Sequence, residues 1–340
     1  MNKFLLITND NFDASFSRLR FSNWLGKKKH ISCDILCPSG INDFALEFGN
    51  VYYFDKRGLT LSNYQKLKTV LSNTNYDVII ARGIENIILI SLFSKKNNVF
   101  LLTGLGRLFE DGLVFKSIIR RIYKSLLKNL IKKNSAKLIL QNKQDQTELD
   151  IEGSFVINGS GIEDSKISFN KSPTDVIRIL TASRLNNSKG IEDIISFANQ
   201  IKSNSRFEYF IIGGLESLNQ YQKKTLYDLN DYNNIHVLGF KKSINKFLKK
   251  CHFAFYPTKY REGCPRFLIQ AINFGLIPIT TKMPGCTNFL THGIFYKDVD
   301  QIIKEINSII DSSNFKNLSK KNREIFLETY DEKIVFEKYF

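Results

Sequence analysis

Residues 176–202 read "VIRILTASRLNNSKGIEDIISFANQIK", and the order of textures in this stretch decides the fold. "VIRILTASR" (176–184) opens on a run rich in β-branched residues and reads as a buried strand. A polar loop carrying Arg184 and Lys189 follows. After Gly190 the apolar residues fall at helical spacing, so a helix should run to about residue 202. Strand, loop and helix then recur through the second half. "FEYFIIGG" (207–214), "NIHVLGF" (234–240), "FAFYPT" (253–258) and "LIPITT" (276–281) are strand-like, with helical segments between them.

The first half carries the same alternation. "KFLLIT" (3–8), "ISCDILCP" (31–38), "VYYFD" (51–55), "YDVIIAR" (76–82), "NVFLLTG" (98–104) and "AKLILQN" (136–142) read as strands, the last of them closing the set. Residues 14–27, with Trp24, and 61–73 read as helices. Alternation of this kind implies parallel sheets covered by helices on both faces. The polar stretch "NGSGIEDSKISFNKSPTD" (158–175) has linker composition. The expected architecture is therefore α/β with two doubly wound, Rossmann-like domains, 1–160 and 161–324. The closing segment, about 325–340 and ending in "EKIVFEKYF", should pack back on the first domain as a helix.

Composition agrees with globular domains. The 340 residues are 43% hydrophobic, and no run reaches the roughly 18 apolar residues of a membrane span. The first residues, "MNKFLLITNDNFD", have too short an apolar run for a signal-peptide core. A cytoplasmic location is expected. Five cysteines without a CxxC pair read as reduced thiols, and four histidines lack metal-ligand spacing, so no protein-bound metal is expected. "KDVDQI" holds Asp298 and Asp300 in an Asp-x-Asp pattern; its place just before a helix reads as a helix cap.

The net charge of +16 points to an anionic partner. It concentrates in "FKSIIRRIYKSLLKNLIKK" (115–133), which holds seven bases and no acid. Lys116, Arg120, Lys124, Lys128 and Lys132 recur every four residues, with Arg121 and Lys133 close by. Ile118, Ile119, Ile122, Leu126, Leu127, Leu130 and Ile131 fill much of the opposite side. A solvated basic helix is the plain reading. The functional one is a cationic face docked on an anionic membrane surface. Nucleic acid is not expected, since no aromatic-interleaved platform or DNA-binding motif accompanies the helix.

A phosphate-binding pattern gathers in the second half. Arg184 and Lys189 supply a planar fork and a mobile point charge in one strand-to-helix loop. Gly213 and Gly214 end a strand where backbone can approach a ligand. In "REGCPRFLIQAINFGLIPITTKMPGC" (261–286), Pro265 is expected as the first helical residue and Gly275 as the stop. The N–H groups of that helix start would face a phosphate.

Together these segments resemble glycosyltransferase family 4, retaining nucleotide-sugar enzymes with two Rossmann-like domains facing across a cleft (the GT-B fold). The resemblance covers nearly the whole chain. It is carried most strongly by "SRLNNSKGIEDII", "NNIHVLGF" and "FYPTKYREGCPRFLIQAINFGLIPITTKMPGC". Weaker matches are "LITNDNFDASFSRLR", "LLTGLGRLF", "LQNKQDQTEL" and "INGSGIED", which are similar to the branch building capsule, O-antigen and related lipid-linked glycans. The resemblance implies that Arg184 and Lys189 hold the donor diphosphate, with Gly263, Cys264, Pro265 and Arg266 beneath it. It implies that Glu262 contacts the donor sugar near the reacting carbon. Gln270, with Gly213 and Gly214 on the nucleotide side, takes the place of a Glu that binds ribose hydroxyls. Arg18, Thr103, Gly104 and Arg107 fall on the acceptor side, Thr103 where many members have a histidine.

The implied activity moves a hexose or N-acetylhexosamine from a UDP- or GDP-sugar to a polyprenyl-diphosphate-linked glycan, with the protein peripheral at the inner face of the cell membrane. No cofactor beyond the nucleotide sugar is implied. The alternatives are a catalytically silent, nucleotide-binding paralogue, which Gln270 favours, and a nucleotide-sugar epimerase of similar fold, for which the acid/base cluster is missing.

Overall fold

The structure is a computed structural model. It describes residues 2–40, 45–55, 57–93, 97–109, 114–166 and 172–340, apart from the side chains at 12, 107, 114–116 and 290. The chain divides into two compact units, Met1–Ser160 with Lys338–Phe340, and Gly161–Glu337.

The first unit is built on seven parallel strands. They are β1 (Lys3–Ile7), β2 (Ser32–Pro38), β3 (Val51–Phe54), β4 (Val78–Arg82), β5 (Asn98–Leu102), β6 (Lys137–Leu140) and β7 (Phe155–Val156), in the order β3-β2-β1-β4-β5-β6-β7. Every strand pair is parallel, so both faces need cover, and the strands are mostly apolar. Leu5, Ile7, Phe100, Leu102 and Leu127 form the core on one face. On the other, a helical run from Asn11–Asp13 to Leu25–Lys29 buries Phe21 and Leu25. Phe21 packs on Tyr339 with ring centroids 4.9 Å apart.

The second unit holds β8 (Ile177–Ala182), β9 (Phe207–Ile212), β10 (Ile235–Val237), β11 (Phe253–Tyr256), β12 (Ile277–Thr280) and β13 (Ile294–Phe295). Their order is β10-β9-β8-β11-β12-β13, again all parallel. Alternate residues of one strand serve two cores. Ile179, Tyr209, Phe253 and Phe255 point to one, Leu180, Phe210, Ala254 and Tyr256 to the other. In both sheets the strand order reverses beside the first strand, between β1 and β4 and between β8 and β11. Open α/β sheets form ligand sites beyond the carboxyl ends of strands at such a switch point.

Three expectations need correction. β7 and β13 were not expected: each is two residues long, too short for a periodic signal. Pro265 is the N-cap of helix Arg266–Asn273, with ψ of 115°, and Arg266 is the first helical residue. The closing segment divides: only Lys338–Phe340 belong to the first unit, while Phe326–Tyr330 and helix Glu332–Glu337 belong to the second. Phe326 and Tyr330 sit in the second unit's core, which holds them there. Among the described residues, no helix is long and apolar enough to cross a membrane.

Candidate active site

The loop after β8 is shaped to deliver one lysine. Asn186 Oδ1 accepts the backbone N–H of Lys189 at 3.0 Å, capping the single turn Asn187–Lys189. Gly190 then takes a φ of 72°, and a Cβ there would lie 2.0 Å from the carbonyl oxygen of Pro257. Only glycine permits both the turn and the approach. The loop is thereby pressed against the segment that leaves β11, where Lys259 N–H also bonds the carbonyl of Ser188 at 2.9 Å.

That approach brings Lys189, 7% exposed, against Tyr256 and Glu262. Lys189 Nζ donates to Glu262 Oε1 and to the Tyr256 hydroxyl, the latter at 3.0 Å. The Tyr256 hydroxyl donates to the same Glu262 oxygen at 2.9 Å, and Thr258 Oγ1 lies 3.4 Å from it. Burial pushes the Tyr256 phenol well above its ordinary pKa, and the Glu262 carboxylate adds to the shift. The phenol is therefore a fixed donor at neutral pH. The backbone beneath Glu262 is closely backed by Gly285, whose φ is 82° and whose Cβ would meet the Glu262 carbonyl at 2.4 Å.

Two thiols flank the pair. Cys264 is raised by burial and by the neighbouring Cys286 and Glu262. Cys286 is pushed up to about 12, chiefly by burial. Neither is a thiolate at neutral pH, so neither serves as a nucleophile.

The remaining donor-side residues scatter around this centre. Arg184 is exposed, and its carbonyl accepts from Ser183 Oγ at 3.3 Å. Gln270 lies on helix Arg266–Asn273, half-buried, with no side-chain hydrogen bond among the described residues. Gly275, with φ of 73°, ends that helix as expected. At Gly213 the close approach is to the protein itself: a Cβ would meet the Ser183 carbonyl at 2.1 Å. Asp298 Oδ1 accepts the N–H of Asp300 at 3.2 Å, but the N-cap of helix Asp300–Asp311 is Val299, not an aspartate. Among the described residues no group of carboxylates, histidines and cysteines is arranged to hold a metal.

On the first unit, Arg18 is neither a surface residue nor open to solvent. It is 4% exposed, and its Nε donates to Asp13 at 3.0 Å. Burial opposes its charge, yet Asp13 and Tyr339 outweigh burial and raise its pKa. Arg82, at the end of β4, reaches the same carboxylate at 3.1 Å. Thr103 and Gly104 follow β5 half-buried, Gly104 at φ 125°. The Arg107 side chain lies outside the described residues.

The basic helix, Val114–Asn134, also differs from expectation. Arg120 is turned inward, donating Nε to the Leu108 carbonyl at 2.8 Å and stacking over Phe109. Lys124 pairs with Glu148 at 3.5 Å. Arg121, Lys128 and Lys132 are exposed, whereas the Lys116 side chain lies outside the described residues. Leu127 is buried, but Ile118, Ile122 and Leu126 are 52%, 63% and 39% exposed. These three lie at i, i+4 and i+8, one stripe on the solvent side among the bases.

Residues 163–325, nearly all of the second unit, match the family described as Glycosyl transferases group 1. The whole chain is similar in structure to a glycosyltransferase from Rickettsia africae ESF-5 (15% identity, TM-score 0.75, covering 99% of this chain and 96% of that one). It is likewise similar to Anabaena HepE in complex with UDP and glucose (14% identity, TM-score 0.75, covering 100% and 98%). A third is WaaG, a glycosyltransferase involved in lipopolysaccharide biosynthesis (14% identity, TM-score 0.66, covering 100% and 98%). No curated protein matches the chain in sequence. The fold is that of the GT-B enzymes. Residues 163–325 are thus similar to the glycosyl transferases group 1 family, and the protein is a glycosyltransferase.

Tyr256, Thr258, Asp13, Arg82 and Gly285 escaped the sequence reading. Tyr256 was read only as a strand residue, and nothing in its spacing signals the bridge to Lys189.

Proposed function

We propose that the protein transfers a hexose or N-acetylhexosamine, with retention, from a nucleoside-diphosphate sugar to a polyprenyl-diphosphate-linked glycan of a surface polysaccharide. The observation that carries this reading is the buried contact of Lys189 with Glu262 beyond the ends of β8 and β11, within the residues that match the group 1 family. An ammonium held at 7% exposure can neutralise a departing diphosphate with little screening. Arg184, exposed on the same loop, adds a second cation. Glu262 favours the positive charge that develops on the sugar as its bond to phosphate breaks. The acceptor oxygen bonds to the sugar carbon on the face the phosphate leaves, and the phosphate oxygen takes the acceptor's proton. No protein base is needed, so Thr103 in place of a histidine does not stop the reaction. Gln270 can exchange hydrogen bonds with ribose hydroxyls through both ends of its amide. UDP in the HepE complex favours a uridine donor; a guanosine donor is the alternative. No protein-bound metal enters the scheme.

The lipid-linked acceptor is supported by helix Val114–Asn134. Its exposed Arg121, Lys128 and Lys132 suit anionic headgroups, and Ile118, Ile122 and Leu126 suit the apolar layer just beneath. The protein would then work at the inner face of the cell membrane.

The test is a screen of UDP- and GDP-sugars for thermal stabilisation and slow hydrolysis, with Glu262→Ala and Lys189→Ala as controls. One donor hydrolysed by the wild type alone is the expected result. Binding without turnover, even with lipid-linked acceptors, would favour a silent scaffold and point to Gln270. In vesicle sedimentation, Ile118→Ser/Ile122→Ser/Leu126→Ser should weaken binding to anionic vesicles at high salt, where charge alone no longer holds the protein.

A further inference from the structure

We propose that Tyr256 is a positioning residue that keeps Glu262 in place when the donor diphosphate draws Lys189 away. The inference rests on the transferase reading above. In the structure, Lys189 Nζ, the Tyr256 hydroxyl and Glu262 Oε1 each hydrogen-bond the other two. The lysine therefore has two claimants: the carboxylate it now meets and the diphosphate it is to hold. Its four-carbon stem can swing toward an anion, whereas Glu262 stands at 16% exposure, where a carboxylate deprived of its cation is costly.

Tyr256 cannot follow the lysine. Its ring is 5% exposed and packs on Phe267 with centroids 5.9 Å apart. Its backbone is in β11, and its carbonyl accepts from Thr280 Oγ1 at 2.8 Å, tying it to β12. Its hydroxyl proton has one destination in the triangle, since the ammonium only donates and Glu262 only accepts. When the ammonium leaves, that O–H bond stays, with Thr258 Oγ1 as the weaker second at 3.4 Å. The carboxylate is held where the reacting sugar arrives, at no cost in reorganisation.

The test is Tyr256→Phe, which keeps the ring and removes the hydroxyl, assayed with the donor that the wild type turns over. A kcat about tenfold lower is expected, with donor KM within about threefold and affinity for the nucleoside diphosphate unchanged. The same change in a Glu262→Gln background should cost almost nothing, because a neutral amide has no lost charge to offset. A merely structural tyrosine would lower activity equally in both backgrounds. Equal losses, or an unchanged kcat in Tyr256→Phe, overturn the proposal while leaving the transferase reading intact. No turnover by the wild type overturns both.

Discussion

The two units place opposite charges at the same point of the same topology, and they use them differently. Beyond β1 and β4, Asp13 is gripped by Arg18 and Arg82. Beyond β8 and β11, Glu262 is met by Lys189. Arg18 is locked by burial and two partners, with no room to release its carboxylate. Lys189 is a point charge on a flexible stem at a loop turn. A planar fork against a carboxylate makes a fastener; a lone ammonium makes a contact that a ligand can take over.

This contrast predicts which pair matters for what. Removing either partner of the second pair should cut sugar transfer by about 10²- to 10³-fold, the range for losing one charge-stabilising group. Lys189→Ala should lower stability less than the first pair's loss does, as judged by thermal melting, because the Tyr256 O–H still holds the Glu262 carboxylate. Asp13→Ala should do the reverse. The buried Arg18 and the half-buried Arg82 would lose their anion, costing about 3 kcal/mol of stability, read through Trp24, the single tryptophan, which lies in the first unit. If Asp13→Ala instead left unfolding unchanged and abolished transfer, the distinction between fastener and reactive contact would collapse.

The second unit has its own stability device, away from the site. His252 Nδ1 accepts the backbone N–H of Arg178 at 2.9 Å. Burial, aided by the Arg178 charge, lowers its pKa from 6.5 to about 4. The unfolded chain therefore takes up the proton first as pH falls. This stabilisation is complete above pH 6.5 and is lost between there and about pH 4, with about 2 kcal/mol gone at pH 5. Urea unfolding followed by far-UV circular dichroism should show that loss, and His252→Gln should flatten it.

The smallest effect concerns the nucleotide. Gln270→Glu should tighten nucleoside diphosphate binding by about fivefold, since a charged hydrogen bond gains about 1 kcal/mol over a neutral one. Unchanged or weaker affinity in titration calorimetry would mean that Gln270 does not face the ribose.

Much of the fold was legible because its signals are local. Helix Leu61–Asn73 coincides with the expected segment, and the strand runs match to within three residues at each end. The site was legible in part. Lys189 and Glu262 were singled out on separate motifs, and Gly190 was seen as a helix start. The burial of Arg18 against Asp13 was not legible, because a charge seen alone in the sequence does not name its partner. The helix at Val114–Asn134 was assigned its faces from charge, but charge does not decide which side meets the sheet.

What the sequence determined by itself is therefore the alternation of strands and helices, the polar stretch between two halves, and the glycines that need a left-handed turn. Each depends on residues within a few positions of one another. Only the tertiary structure decided that Lys189 meets Glu262 across 73 residues, that Tyr256 stands between them, and that Ile118, Ile122 and Leu126 face water. Those outcomes depend on strand order and on the space left beside a neighbouring element. The spacing of side chains along the chain does not encode either.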